Sequence, residues 1–265
     1  MTRLDAALAA RGLARSRTHA ASLIADGLVK VDGRSVVKAS TPVGDDTELA
    51  VDGGDHYVSR GAHKLIAALD GFGVDAAGRL ALDMGASTGG FSQVLLERGA
   101  RRVLAVDVGH GQLSPRIADD PAVVAVEGFN VRHMTAQTLA DATGERSRPD
   151  LVVGDLSFIS LSLVLPAVAE TAAPHADILL LVKPQFEVGR TAVRGGLVTS
   201  PAARIDAVER TLWSAHDAGL GTLGILPSPL LGTHGNAEYL VRLASGRGTD
   251  PSQWTEQIEH LAGGR

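Results

Sequence analysis

The stretch "LALDMGASTGGF", residues 80–91, is an apolar run that leads directly into a glycine-rich turn. The run predicts a buried β-strand, and the turn predicts a close approach of the backbone to a ligand at the start of the next helix. Ser87 stands where the G-x-G-x-x-G pattern of dinucleotide folds has its second glycine. Asp83, just before Gly85, would repel a pyrophosphate. The loop therefore favours a nucleoside ligand that carries no phosphate.

Around this stretch, apolar runs of strand length alternate with amphipathic helical patterns. The expected strands are 80–83, 102–106, 122–126, 150–154, 177–182, 221–227 and 237–243, with helices over 90–98 and 201–217 among them. Such alternation predicts an α/β fold with a doubly wound, mostly parallel sheet. Ligands bind beyond the carboxyl ends of such strands, so the residues that follow each strand are the candidates for a functional site.

Two of these positions are acidic. Asp107 follows the second strand, 22 residues after Gly85, where a carboxylate can accept hydrogen bonds from both ribose hydroxyls. Asp155 follows the fourth strand. S-adenosylmethionine has a ribose diol, an ammonium and a sulfonium but no phosphate, so Asp83 and Asp107 together favour it as the cofactor.

Lysine is rare in this chain. Only four lysines occur, against 21 arginines. A lysine can lose its proton when it is desolvated, whereas arginine stays charged. Lys183, directly after the apolar run "ILLLV" (178–182), and Lys64, in "SRGAHKL", are therefore candidates for proton chemistry.

The first 38 residues are basic although the whole chain has a net charge of −5, since they hold seven Lys or Arg and three Asp. "TRLDAALAARG" predicts a helix capped by Thr2, "SRTHAASLIADG" predicts a second helix capped by Ser16, and "LVKVDGRSVVK" predicts a hairpin that turns at Asp32 and Gly33. Residues 1–55 contain no Phe, Trp or Tyr, so stacking on single-stranded bases is not expected. A basic surface without aromatic residues favours structured RNA.

The segments "RLDAAL", "SRTHAASLIADGLVKVDG" and "VVKAS" resemble the S4 RNA-binding domain. The resemblance covers most of residues 2–51 and implies a small α+β module. The residues that it assigns to RNA binding are Arg3, Arg15, Arg17, Lys30, Arg34 and Lys38. A small α+β docking module stays open as the other interpretation.

The pattern D-x-G-x-S-x-G followed by Asp107 resembles a class I methyltransferase, which has a Rossmann-like sheet. Together with "VSRGAHKL", "LVKPQFEVGR", "GNAEYL" and the S4-like start, it closely resembles the TlyA family of S4-plus-FtsJ/RrmJ-like ribosomal RNA 2′-O-methyltransferases, historically also labelled haemolysins. The residues that look like the catalytic Lys-Asp-Lys-Glu tetrad of the FtsJ/RrmJ-like enzymes are Lys64, Asp155, Lys183 and Glu238. The residues expected to bind the cofactor are Asp83, Gly85, Ser87, Thr88, Gly89, Gly90, Phe91, Asp107, Asn130 and Asp155.

The resemblance implies transfer of a methyl group from S-adenosylmethionine to a ribose 2′-hydroxyl of ribosomal RNA, in free form or within ribosomal subunits. Lys183 is expected to be the general base, and Asp155 is expected to orient it. Glu238 is expected to keep Lys64 charged, so that Lys64 favours the neutral form of Lys183 and stabilises the forming alkoxide. Core filling is the expected use of Phe91. Phe158 and Phe186 are candidates for stacking on the adenine or on a flipped target base, and this use stays open.

The expected organisation is an S4-like domain at 1–52, a linker at 53–60, a methyltransferase domain at 61–245 and a tail at 246–265. The chain has no cysteine, which excludes disulfides, thiolate zinc sites and a cysteine nucleophile. Its nine histidines are scattered, so no metal site is expected. The apolar run 178–182 is far shorter than the roughly 20 residues of a membrane span, so a cytoplasmic enzyme is expected. A membrane-active haemolysin-like protein and a non-catalytic RNA-binding protein are the alternatives.

Overall fold

The structure is a computed structural model that describes residues 2–14, 16–25, 27–51 and 56–264. The chain divides into two compact units, Met1–Val58, called the head unit below, and Ser59–Arg265, called the body unit. The division falls within the segment 53–60 that the sequence predicts as a linker.

The head unit combines two helices with short antiparallel strands. Its elements are β1 (Thr2–Arg3), α1 (Leu4–Ala10), α2 (Arg17–Ala25), β2 (Val29–Val31), β3 (Arg34–Ser35), β4 (Pro42–Val43) and β5 (Leu49–Val51). β1 pairs with β4, and the other three strands form a sheet in the order β3-β2-β5. Apolar side chains from both helices and from β2 and β4, among them Leu4, Leu8, Ile24 and Val29, form its small core.

The local signals of the head unit are mostly confirmed. Ser16 accepts a hydrogen bond from the backbone N–H of His19 at 3.1 Å, as expected of a helix N-cap. Asp32 and Gly33 have φ values of 50° and 77° and form the two-residue hairpin turn between β2 and β3. The expected cap at Thr2 is wrong. Thr2 lies in β1 opposite Val43, and the helix begins two residues later, because strand pairing engages the backbone that a cap would need.

The body unit is an α/β domain with one seven-stranded sheet. Its strands are β6 (Leu80–Met84), β7 (Arg102–Asp107), β8 (Val123–Glu127), β9 (Leu151–Gly154), β10 (Asp177–Val182), β11 (Leu220–Pro227) and β12 (Tyr239–Ser245). Its α-helices are α3 (Ala62–Phe72), α4 (Gly90–Glu97), α5 (Pro115–Ala118), α6 (Ala136–Thr143), α7 (Leu165–Thr171), α8 (Pro184–Glu187), α9 (Pro201–Asp217) and α10 (Thr255–Gly263). The predicted fold class is confirmed, and each predicted strand lies within two residues of an observed one.

The strand order, β11-β12-β10-β9-β6-β7-β8, positions the site. The chain runs outward from β6 to β7 and β8, and then returns to place β9 on the other side of β6. These strands are parallel, so a crevice opens where the loops after β6 and β9 part. β12 is antiparallel to β10, with Val182 opposite Tyr239. The amino end of β12 therefore lies beside the carboxyl end of β10.

The sequence after Ser245, expected to be a tail, is instead part of the body unit. Ile258 and Ala262 of α10 are buried in the main core. Gln257 donates a hydrogen bond to the carbonyl of Ile225 in β11 at 2.9 Å, and Arg204 donates one to the carbonyl of Ala262 at 3.0 Å. α10 has an apolar face that must be buried, and it packs beside α9 and the edge strand β11.

Candidate active site

The glycine loop between β6 and α4 is held by Asp107, the last residue of β7. The Asp107 carboxylate accepts hydrogen bonds from the backbone N–H of Ser87 at 2.8 Å and of Gly109 at 2.7 Å. Ser87 has a φ of 49°, and Gly89 has a φ of 96°. A Cβ atom at Gly89 would lie 2.9 Å from the side chain of Leu113, so α5 and the residues before it approach the loop closely only because this position is glycine. Asp107 thus shapes the loop and also faces the space beyond it.

Two neighbouring cavities lie at the carboxyl edge of the sheet. The larger, of about 590 Å³, is lined by predicted cofactor residues: Gly85, Ser87, Asp107, Asn130 and Asp155. The second, of about 280 Å³, shares Asp155 and contains the predicted residues Lys64, Thr88, Gly90, Phe91, Lys183 and Glu238. Ser59, Arg60 and Gly61 also line the second cavity, although the sequence did not single them out. Asp155 therefore joins a nucleoside-sized cavity to the candidate catalytic residues.

Asp83 lies beneath the glycine loop and lines neither cavity. Its side chain is 1% exposed and accepts a hydrogen bond from Ser92 Oγ at 2.7 Å, while Oδ1 has no partner among the described residues. Burial raises the pKa of Asp83 to about 7, against the lowering effect of the Ser92 hydrogen bonds. The structure therefore departs from the expectation that this carboxylate faces the ligand. Asp83 instead bonds to α4, the helix that follows the loop.

The four predicted catalytic residues come together as an alternating chain of charges. Lys183 Nζ forms an ion pair with Asp155 Oδ1 at 2.6 Å. Lys64 Nζ contacts Asp155 Oδ2 at 3.2 Å and Glu238 Oε2 at 2.7 Å. The order is thus Lys183, Asp155, Lys64, Glu238.

Their positions follow from the topology. Asp155 and Lys183 directly follow the parallel strands β9 and β10, and Lys64 lies in the first turn of α3. Glu238 directly precedes β12. A residue that precedes a parallel strand would lie at the opposite edge of the sheet. Because β12 is antiparallel, Glu238 reaches the same edge as the other three.

The tetrad is balanced in charge; Lys64, Lys183 and Glu238 are buried, and Asp155 is partly buried. Lys64 and Lys183 are each 7% exposed and Glu238 is 4% exposed, and buried charges of this kind require partners. Burial raises the pKa of Asp155, but the positive charges of Lys183 and Lys64 outweigh burial and bring that pKa below its ordinary value. Asp155 is thus a carboxylate shared by two ammonium groups.

Two residues that the sequence did not assign to the site support the tetrad. Lys183 Nζ donates a hydrogen bond to Ser157 Oγ at 2.8 Å, so the amine is held from two sides. A Cβ atom at Gly232 would collide with the Glu238 carboxyl group, which explains the glycine there. The sequence offered a signal for both, since Ser157 lies in the loop after β9 and Gly232 opens the glycine-rich turn before Glu238.

An aromatic pair lies beside Lys183. Phe158 is 92% exposed and has a φ of 64°, an unusual backbone conformation for a bulky residue. Its ring centroid is 5.3 Å from that of Phe186, with the planes tilted by 50°. Both rings line a third cavity, of about 300 Å³, together with Lys183, His234 and Glu238. Phe158 therefore does not fill the core, and its ring is available for stacking.

In the head unit, the described candidate RNA-binding residues are exposed except Lys30, which is partly buried; Arg15 lies outside the described residues. Arg3 and Arg17 contact the Asp5 carboxylate at 3.0 Å and 3.4 Å. The hydrogen bond from Arg3 is the main cause that brings the pKa of Asp5 down to about 2, so the carboxylate stays charged and holds both guanidinium groups.

Comparison with known proteins agrees with this division into units. The sequence profile of the FtsJ-like methyltransferases matches residues 57–245, and that of the S4 domain matches residues 2–49. The chain is 50% identical over 244 residues to the 16S/23S rRNA (cytidine-2′-O)-methyltransferase TlyA of Mycobacterium tuberculosis, covering 91% of this chain and 89% of that protein. It is 34% identical to Hemolysin A of Brachyspira hyodysenteriae, covering 90% of this chain and 98% of that protein.

A solved structure from Streptococcus thermophilus, assigned provisionally to the haemolysins, superposes with a TM-score of 0.78 at 34% identity. The match covers 98% of this chain and 94% of that one. In the part of this chain that the structure describes, no helix is both long enough and apolar enough to cross a membrane. The two profile matches and the near full-length relatives show that the chain belongs to the TlyA family, in which an S4 domain precedes an FtsJ-like methyltransferase domain.

Proposed function

We propose that this protein transfers a methyl group from S-adenosylmethionine to a ribose 2′-hydroxyl of ribosomal RNA. The observation that carries the proposal is the buried chain Lys183–Asp155–Lys64–Glu238 beside a nucleoside-sized cavity. Such a chain offers an amine that can accept a proton and a second cation that can stabilise negative charge on oxygen. The printed names of the relatives from Mycobacterium tuberculosis and Campylobacter jejuni, both rRNA (cytidine-2′-O)-methyltransferases, support the choice of substrate.

The residues around the larger cavity fit S-adenosylmethionine. The two Asp107 oxygens already hold the loop amides, and each has a further lone pair for a ribose hydroxyl. Asn130 Oδ1 accepts a hydrogen bond from the backbone N–H of Arg132, so its orientation is fixed and its amide nitrogen can donate to an adenine edge. Val108 is an exposed apolar residue in the lining, suited to a base face. When bound, the cofactor supplies an electrophilic methyl group on a positively charged sulfur.

In this proposal Lys183 is the general base. In its neutral form the amine accepts the proton of the 2′-hydroxyl, and Asp155 and Ser157 aim it from two sides. Lys64 is held by Glu238 and Asp155, and its charge stabilises the developing negative charge on the ribose oxygen. General-base catalysis contributes roughly 10²–10⁴-fold, and positioning of the reactants contributes much of the rest.

The RNA substrate is proposed to contact the head unit through its basic residues. Arg34 of β3 and Lys38, three residues after β3, are exposed, and Arg3 and Arg17 are oriented by Asp5. Short basic surfaces of this kind bind the phosphates and the shape of folded RNA more than its sequence.

The test is replacement of Lys183, with methyl transfer to ribosomal RNA and cofactor binding measured separately. We expect Lys183→Ala to lower transfer of a radiolabelled methyl group by at least about 10²-fold, while the Kd for S-adenosylmethionine changes less than a few-fold. Lys183→Arg keeps the charge but cannot accept the proton, so we expect it to be equally inactive.

Persistent transfer in Lys183→Ala would contradict the assignment of the base, and strong activity in Lys183→Arg would show that charge alone is needed. Mapping of 2′-O-methyl groups on ribosomal RNA with and without the wild-type protein tests the substrate. Absence of any new 2′-O-methyl group on either ribosomal subunit would contradict the proposed function.

A further inference from the structure

A partly buried carboxylate outside the tetrad joins the two segments that carry Asp155 and Lys183. Glu187, at the end of α8, lies four residues after Lys183. Its Oε1 accepts a hydrogen bond from the backbone N–H of Leu161 at 2.9 Å, and its Oε2 accepts one from Ser160 Oγ at 2.5 Å. Both partners belong to the loop after β9, which begins at Asp155. Glu187 therefore connects the loop after β10 to the far end of the loop after β9.

The segment 155–161, called the β9 loop below, carries three groups of the candidate site. Asp155 pairs with both lysines, Ser157 accepts the hydrogen bond of Lys183, and Phe158 lies beside Phe186. The strand β9 fixes the first end of this loop. At the other end, Leu161 is buried in the main core, and Glu187 accepts hydrogen bonds from its backbone N–H and from the neighbouring Ser160 hydroxyl.

The β9 loop needs such a restraint because of its backbone. Phe158 has a φ of 64°, a conformation that costs a non-glycine residue free energy and persists only where surrounding contacts impose it. The Phe158 side chain is 92% exposed, so packing of its ring supplies little of that restraint. The partners of the two hydrogen bonds at Glu187 lie three residues or fewer from Phe158, so these bonds restrain the backbone close to the strained position.

We propose that Glu187 is a positioning residue for methyl transfer: it holds the β9 loop against the segment after Lys183, so that Ser157 stays on the amine and Phe158 stays beside Phe186. This inference rests on the proposed function, because its kinetic consequence presupposes transfer. The role belongs to the two hydrogen bonds and not to the negative charge, since Glu187 contacts neither lysine.

The central comparison is between Glu187→Ala, which removes both hydrogen bonds, and Glu187→Gln, which can keep both. The glutamine oxygen can accept from Leu161, and its amide nitrogen can donate to Ser160 Oγ, whose hydroxyl then turns to Ser162 Oγ, at 2.8 Å in this structure. We expect kcat to fall at least 10-fold in Glu187→Ala, since small misplacements of a catalytic group are costly, and to stay within 3-fold in Glu187→Gln. The Kd for S-adenosylmethionine is expected to change little in either variant, and the Tm is expected to fall in Glu187→Ala but not in Glu187→Gln.

Two further variants keep the test decisive if Glu187→Ala folds poorly. Ser160→Ala removes one of the two hydrogen bonds and leaves the carboxylate in place, so we expect a smaller loss of kcat, about 3-fold. Glu170→Ala removes an exposed glutamate of α7 and serves as the matched control, with no expected effect on kcat.

Hydrogen exchange of the peptide 155–163 provides a measurement that does not depend on catalysis. We expect faster exchange in Glu187→Ala than in the wild type and wild-type exchange in Glu187→Gln. Unchanged exchange or unchanged kcat in Glu187→Ala would overturn the proposal, as would equal losses in the Ala and Gln variants. A wild-type protein that transfers no methyl group would contradict the proposed function alone, and the exchange data would still decide the role of Glu187 in the loop.

Discussion

Individual residues of the site differ in how directly their chemistry can be inferred. Lys64 and Lys183 are two of only four lysines, and both are 7% exposed, where an unpaired ammonium would be costly. Their rarity in an arginine-rich chain indicated a role in proton transfer, because arginine stays protonated near neutral pH. The sequence predicted correctly that Asp83 lies in the strand before the glycine loop. The prediction that its side chain faces the ligand was wrong. Successive side chains of a strand alternate in direction, and the packing of α4 decides that this one is enclosed under Ser92.

At the residue scale, Asp83 is expected to make stability depend on pH. Its pKa is raised from 3.8 to about 7, so between these values the folded chain holds a proton that the unfolded chain has lost. The stabilisation is therefore complete below about pH 4, is lost progressively as the pH rises from there through 7, and is absent at higher pH. Asp83→Asn removes this titration. We expect its free energy of unfolding to exceed that of the wild type by on the order of 4 kcal/mol at pH 8 and to match it near pH 4.

Urea unfolding at several pH values measures this difference. Asp206→Asn, on the exposed face of α9, is the control and should leave the pH profile unchanged. Parallel profiles for the wild type and Asp83→Asn would show that the buried carboxyl group does not titrate in this range.

The directions of the strands determine which chain segments lie at the edge of the sheet that holds the candidate site. The parallel strands β6, β7, β9 and β10 place the loops that follow them at this edge. The antiparallel strand β12 places there the residue that precedes it. The turn before β12, which carries Glu238, also contacts a second segment of the chain.

Asn236 is buried in this turn. It accepts a hydrogen bond from the backbone N–H of Val198 at 3.0 Å and donates one to the carbonyl of Gly196 at 2.7 Å. One side chain thus connects the segment 196–198, beside the third cavity, to the turn that carries Glu238.

At the element scale, Asn236→Ala is expected to make the segment 196–198 more mobile, because it removes the two hydrogen bonds that connect the segment to the turn before β12. Loss of two hydrogen bonds leaves a buried backbone N–H and a carbonyl without these partners, which costs about 1–3 kcal/mol. We expect faster hydrogen exchange in residues 193–199 and a higher KM for RNA, with unchanged affinity for S-adenosylmethionine. The amide variant Gln137→Ala, on the exposed face of α6, is the control. Wild-type exchange in 193–199 would show that other contacts hold the segment.

The whole molecule joins a basic head to a body that carries the negative charge. Residues 1–38 contain seven Lys or Arg and three Asp, whereas the full chain has a net charge of −5. The two units have separate cores, and the matches to an S4 profile and to an FtsJ-like profile follow the same division. In the proposed function the head supplies affinity for RNA and the body supplies the chemistry.

At this scale, the affinity for RNA is expected to depend on salt through the head. Each cation that contacts a phosphate contributes about 1 to the slope of log K against log salt concentration. We expect the double variant Arg34→Gln/Lys38→Gln to reduce the slope by about 2 and to weaken binding similarly for different structured RNAs. Arg210→Gln on α9 of the body unit is the control. Fluorescence anisotropy across a salt series measures the slope, and an unchanged slope would place the RNA contacts elsewhere.

The local pattern of the sequence by itself determined the order and approximate bounds of strands and helices, because apolar periodicity, caps and glycine turns act over a few neighbouring residues. The alternation of strands also determined that residues following them share one edge, which brought Asp107, Asp155 and Lys183 into the predicted site. The predictions for residues 246–265 and for Thr2 were wrong. The residues that contact α10 and β1 lie far away in the chain, so no local pattern indicates these contacts.

Only the tertiary structure decided which side chains touch. It paired Lys64 with Glu238, 174 residues apart, enclosed Asp83, and joined Ser157 and Glu187 to the catalytic segments. Contacts of this kind depend on strand order, on the reversal of β12 and on side-chain direction, all of which are set by packing of the whole domain. The residue types therefore indicated the chemistry, and long-range packing determined the geometry in which that chemistry is proposed to occur.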